Sequence, residues 1–142
     1  MIKHILVPYD TSGPANSAFE AALDLAKKYN SRISIVSCVH LQVPSDPYFG
    51  TAYAETTKLL EADAANSISK LEPRLKESKI PFKTEVLEAI SITDTILSYA
   101  ESHQVDLIVM GSRGLGGFKK LLLGSVASGV SQHSKCPVLI VK

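Results

Sequence analysis

Four short apolar runs decide what this chain can fold into. Residues 4–9 (HILVPY), 32–39 (RISIVSCV), 106–111 (DLIVMG) and 137–142 (PVLIVK) are rich in Ile and Val, and mostly do not alternate with polar residues. A strand that is apolar at consecutive positions has no face to offer water. It belongs in a parallel sheet covered by helices on both sides. A fifth run, residues 82–89 (FKTEVLEA), does alternate and reads as an edge strand.

Helical spacing fills the intervals. Residues 14–29 open with Pro14, whose missing N–H suits a first turn, with Thr11 or Ser12 as the cap. Ala15, Ala18, Ala22 and Ala26 make a small-residue face for close packing on a sheet. Residues 51–79 read as one long helix with the stripe Leu60, Ala64, Ile68, Leu71 and Leu75, kinked or ended by Pro73. Residues 92–104 carry Ile92, Ile96 and Ala100 four apart, and a last helix runs from Gly124–Ser125 to before Pro137. Strands alternating with helices give a doubly wound α/β domain. The expectation is a single domain over residues 1–142: a five-stranded parallel Rossmann-like sheet, order 3-2-1-4-5, with helices on both faces. Residues 40–53 (HLQVPSDPYFGTAY) read as a surface loop over the carboxyl edge of the second strand.

Bulk chemistry narrows the function. A length of 142 residues suits one domain. The 15 basic and 14 acidic residues leave a net charge of +1, without the basic excess of a general nucleic-acid binder. The opening run is too short for a membrane span or a signal peptide's apolar core. Cys38 and Cys136 have no metal-ligand spacing and imply no disulfide framework, which points to a reducing cytoplasm.

In open α/β sheets ligands sit outside the carboxyl ends of the strands, where strand order reverses. Residues 109–126 (VMGSRGLGGFKKLLLGSV) leave the fourth strand at that edge with five glycines, three cations and no acid. The run is no P-loop, because Gly117 and Phe118 stand where Lys and Ser or Thr should follow Gly116. It is no dinucleotide fingerprint either, since the G-x-G-x-x-G spacing fails and the strand is the wrong one. What remains is Gly111, two residues, Gly114, nine residues, then Gly124–Ser125. Gly111 and Gly114 would let the backbone approach phosphate oxygens. Gly124 and Ser125 open a helix whose free N–H groups and dipole favour an anion. Arg113, Lys119 and Lys120 add positive charge, and Phe118 with Leu121–Leu123 reads as an apolar flap under the loop.

That G-x2-G-x9-G-[ST] pattern resembles the nucleotide-binding signature of the universal stress protein family, in its ATP-binding branch. ILVPYDTS at the first strand and CPVLIVK at the end resemble the family's opening and closing segments, so the likeness spans the chain. The resemblance implies ATP, with adenine against Val39 and Met110, backbone contacts from Pro8 and Tyr9, and ribose or a metal-linked contact at Asp10. The phosphates would lie on Gly111, Gly114, Gly124 and Ser125 beside Arg113, with Val126 also among the cofactor-binding residues. It also implies Mg²⁺ or Mn²⁺ bridging the phosphates, and a homodimer paired through residues 137–142. The plainer alternative for Asp10 is a cap carboxylate for the first helix; the ligand contact is the favoured reading, and both can hold together. His40 lies near the site but needs no role, and no catalytic residue stands out. Three outputs stay open: a nucleotide-sensing regulator, a slow ATP hydrolase, and a nucleotide-independent dimeric scaffold. One departure is visible. The family's glycine soon after the third strand is missing, with Ile90 and Ile92 at the apparent positions.

Overall fold

The structure, a computed structural model, describes residues 1–115 and 123–142. In chain order the elements are β1 (His4–Pro8), α1 (Gly13–Tyr29), β2 (Arg32–His40), a 3₁₀ turn (Pro47–Phe49), α2 (Gly50–Ser69), α3 (Glu72–Ser78), β3 (Phe82–Ala89), α4 (Ile92–Ser102), β4 (Leu107–Gly111), α5 (Ser125–His133) and β5 (Val138–Val141). All five strands pair in parallel, in the order β3-β2-β1-β4-β5. The alternating run of residues 82–89 is indeed at an edge.

The pleat sends alternate residues of the central strands into two separate cores. Ile5, Val7, Ile33 and Ile35 face α1 and α3, where Ala18, Ala22, Leu71 and Leu75 meet them. Leu6, Val36, Ile108 and Met110 face α4 and α5, against Ile96, Tyr99 and Val130. Both faces being apolar is why these runs do not alternate.

Local chemistry fixes the helix ends. Ser12 caps α1, its Oγ accepting the Ala15 N–H at 3.2 Å, and Asn30 closes the helix in the left-handed region (φ 56°). The alanine face allows α1 to lie very close to β4. A Cβ on Gly111 would sit 2.7 Å from the Pro14 carbonyl carbon.

The long helix expected over residues 51–79 is two helices, broken at Lys70–Leu71, with Pro73 in the first turn of α3. The stripe splits with it. Ile68, Leu71 and Leu75 are buried, whereas Leu60 is 47% exposed because the first half of α2 stands away from β2. The expected loop over residues 40–53 is shortened from both sides, by β2 reaching His40 and α2 beginning at Gly50. Among the described residues, no helix is long and apolar enough to cross a membrane.

Candidate functional site

Strand order reverses between β1 and β4, and a cavity of about 570 Å³ opens there at their carboxyl ends. Volumes of this size suit small-molecule ligands. One wall is apolar: Val36 and Cys38 from β2, Ile92 and Ile96 from α4, Met110 from β4. The other is the β1–α1 turn, the loop leaving β4, and the start of α5. Burial pushes the Cys38 thiol up to about 11, so it lines the wall as a neutral group.

Asp10 organises the polar side. Its Oδ1 accepts the Ser12 N–H at 3.0 Å, and its Oδ2 accepts the Leu115 N–H at 3.1 Å. The turn between them forces Thr11 to a φ of 70°, a left-handed conformation unusual for a β-branched residue. Asp10 is therefore not the cap of α1; Ser12 is, and Ser12 Oγ also donates to the Arg113 carbonyl at 3.4 Å. Tyr9 donates its hydroxyl to Asn16 Oδ1 at 2.7 Å. Burial and the neighbouring Asp10 charge both raise the Tyr9 phenol, so it stays protonated.

The glycines are short of space rather than of rotational freedom, since none in the described residues has a positive φ. Gly111 is crowded by α1, as above. A Cβ on Gly114 would lie 2.6 Å from Asp10 Oδ2. Gly124 is the N-cap of α5, its N–H held by the Ser112 carbonyl at 2.6 Å, and among the described residues no side chain caps that helix. Ser125, Val126 and Ala127 of its first turn line the cavity, at the positive end of the helix dipole, where the leading N–H groups of a helix lack partners within the helix. Arg113 lines the same end.

Pro8, Tyr9, Asp10, Met110, Gly111, Arg113, Gly114, Gly124, Ser125 and Val126 all come together around this cavity. Val39 does not. It faces the opposite side of the sheet, lining a second cavity of about 560 Å³ beneath α2 with His40, Tyr53 and Asp63. The pleat explains the separation: Val36 and Cys38 share one face of β2, and Val39 takes the other. The two cavities meet at Asp10, Cys38 and Leu115. Ile92 and Ile96 were legible only as a helical stripe, and the end of that stripe lines the site. Where the glycine after the third strand is missing, Ser91 caps α4 by accepting the Asp94 N–H at 3.3 Å, leaving Ile90 exposed and Ile92 in the wall. Lys119, Lys120, Phe118, Leu121 and Leu122 lie outside the described residues. Leu123, the last member of the expected flap, packs partly buried against the α4–α5 core. Among the described residues, no three His, Cys, Asp or Glu side chains converge as a metal site. Chemically, the cavity can bury a flat apolar group at one end and hold an anion at the other.

The family model described as the universal stress protein family matches residues 1–142. The chain belongs to the universal stress protein family. The universal stress protein YxiE of Bacillus subtilis is 31% identical to it, over 100% of both chains. Among solved structures, the universal stress protein UspA from Lactobacillus plantarum superposes with a TM-score of 0.86 at 28% identity, covering 99% of this chain and 97% of that one. A universal stress protein in complex with cAMP shares the fold, with a TM-score of 0.73 at 23% identity over 99% and 97% of the two chains. The five-stranded sheet of this universal stress protein, with its helices on both faces, is the fold of these neighbours.

Proposed function

We propose that this universal stress protein is an ATP-binding regulator whose nucleotide state is read by other molecules, with slow hydrolysis at most. The observation that carries the reading is the cavity itself. It joins an apolar wall of Cys38, Ile92, Ile96 and Met110 to a helix N-terminus that, among the described residues, no side chain caps. The base fits the apolar wall and the phosphates fit the first turn of α5 beside Arg113. Asp10 stands between, where ribose hydroxyls would lie. The family member that holds cAMP supports an adenine nucleotide as the ligand class for this fold.

Asp10 is the one carboxylate among the residues lining the cavity, so Mg²⁺ or Mn²⁺ would take most of its ligands from phosphate oxygens and water. Such an ion would neutralise phosphate charge. For hydrolysis a group must orient or deprotonate water near the γ-phosphate. Asp10 already accepts two backbone N–H groups, and no His lines this cavity among the described residues. That favours a sensor over an efficient ATPase. We place the protein in the cytoplasm as a homodimer joined through β5.

The test is the nucleotide content of the freshly purified protein, released by denaturation and identified by chromatography and mass spectrometry. Calorimetric titration of the emptied protein with ATP and Mg²⁺ follows. Stoichiometric ATP or micromolar rebinding is expected. ADP alone would favour the hydrolase, and no nucleotide with no binding would overturn the reading in favour of a scaffold.

A further inference from the structure

A carboxylate is the wrong charge to place beside a polyphosphate. Unless it has a second task, Asp10 costs the site affinity. The geometry supplies that task. Asp10 bridges two segments distant in sequence, the β1–α1 turn at Ser12 and the β4–α5 loop at Leu115, the latter 105 residues from Asp10 itself. Gly114 lies so close over Oδ2 that any side chain there would displace the carboxylate. Ser12, fixed by that same carboxylate, in turn bonds the Arg113 carbonyl.

We propose that Asp10 is a positioning residue for the phosphate-binding loop. It pins Gly114–Leu115 in place before any ligand arrives, so that the loop and the α5 N-terminus meet the phosphates already assembled. Each carboxylate oxygen accepts one N–H in this way and retains a second lone pair, so a ribose hydroxyl can join without displacing the loop. Pre-organisation of this kind lowers the ordering cost of binding. The inference rests on the nucleotide reading above and adds a dependence that a ribose contact alone does not have.

The discriminating ligand is 2′,3′-dideoxy-ATP, which lacks the hydroxyls a ribose contact would use. Calorimetry compares its affinity with that of ATP for the wild type, Asp10→Ala and Gly114→Ala. A positioning role predicts that Asp10→Ala weakens dideoxy-ATP about tenfold, although the substitution removes a repulsive charge. Gly114→Ala should weaken both nucleotides similarly, because its methyl group pushes the carboxylate aside while the acid remains. In the free protein, the Leu115 amide proton should shift upfield in both variants as it loses its charged acceptor. If Asp10→Ala leaves dideoxy-ATP binding equal or tighter while ATP weakens, Asp10 is a ribose contact only and the proposal falls. Should Asp10→Ala not fold, Gly114→Ala decides: unchanged affinities with an unmoved Leu115 resonance overturn it. Failure of the wild type to bind either nucleotide would instead remove the nucleotide reading itself.

Discussion

Gly111 and Gly114 stand three apart and read alike in the sequence, yet they answer to different neighbours. Gly111 is closed in by the backbone of Pro14 and Ala15, which cannot move without shifting α1. Gly114 meets only the tip of the Asp10 side chain. Gly111→Ala should therefore lower stability by about 1–3 kcal/mol in urea denaturation, as overpacking does. Gly114→Ala should leave stability nearly unchanged and act on binding. Equal losses for the two would mean that α1 gives way at Gly111. The glycine pattern itself was plain in the sequence. Which glycine serves the fold and which serves the loop was not, because spacing carries no information about what lies opposite. Val39 shows the same limit. Its run is apolar on both faces, so nothing in the sequence tells Val39 from Val36, and the pleat alone decides that Val36 lines the first cavity and Val39 the second.

At the scale of elements, the non-alternating runs made the sheet legible and the four-residue spacings made the helices legible. The break at Lys70–Leu71 and the standing-off of α2 were not, since the Leu60–Leu75 stripe is continuous in sequence. At the amino edge of the sheet lies His4, the first residue of β1. It is 4% exposed, with Nε2 2.8 Å from Ser34 Oγ and Nδ1 3.0 Å from the His103 carbonyl. Burial, helped by the Arg32 and His103 charges and opposed by the carbonyl bond and Asp106, holds its pKa below the usual 6.5. The unfolded chain therefore takes up the proton first as pH falls. The His4 contribution is intact above pH 6.5 and is lost progressively below it. Wild-type protein should lose more stability between pH 7 and pH 5 than His4→Gln, by parallel denaturant titrations. Identical pH slopes would mean that His4 is protonated as easily folded as unfolded.

The molecule as a whole has two sheet edges, and they are defended differently. β3 carries Lys83, Glu85 and Glu88, charges that discourage pairing with another strand. β5 reads VLIV, with Leu139 39% exposed and no charge within the strand. An undefended apolar edge is where a second copy should add its own. Leu139→Lys is expected to halve the mass seen by light scattering while the circular dichroism stays native. An intact dimer would move the interface elsewhere. Strand order also sets a timetable for the newborn chain. β1 is made first and lies at the centre, pairing with β2 on one side and β4 on the other. β2 follows almost at once, but β4 begins only at Leu107. At about 5–20 residues per second, the ribosome needs roughly 5–20 s to deliver it. For that interval an apolar strand has one edge without its partner, so the same order that creates the binding cavity leaves the nascent protein in need of shelter.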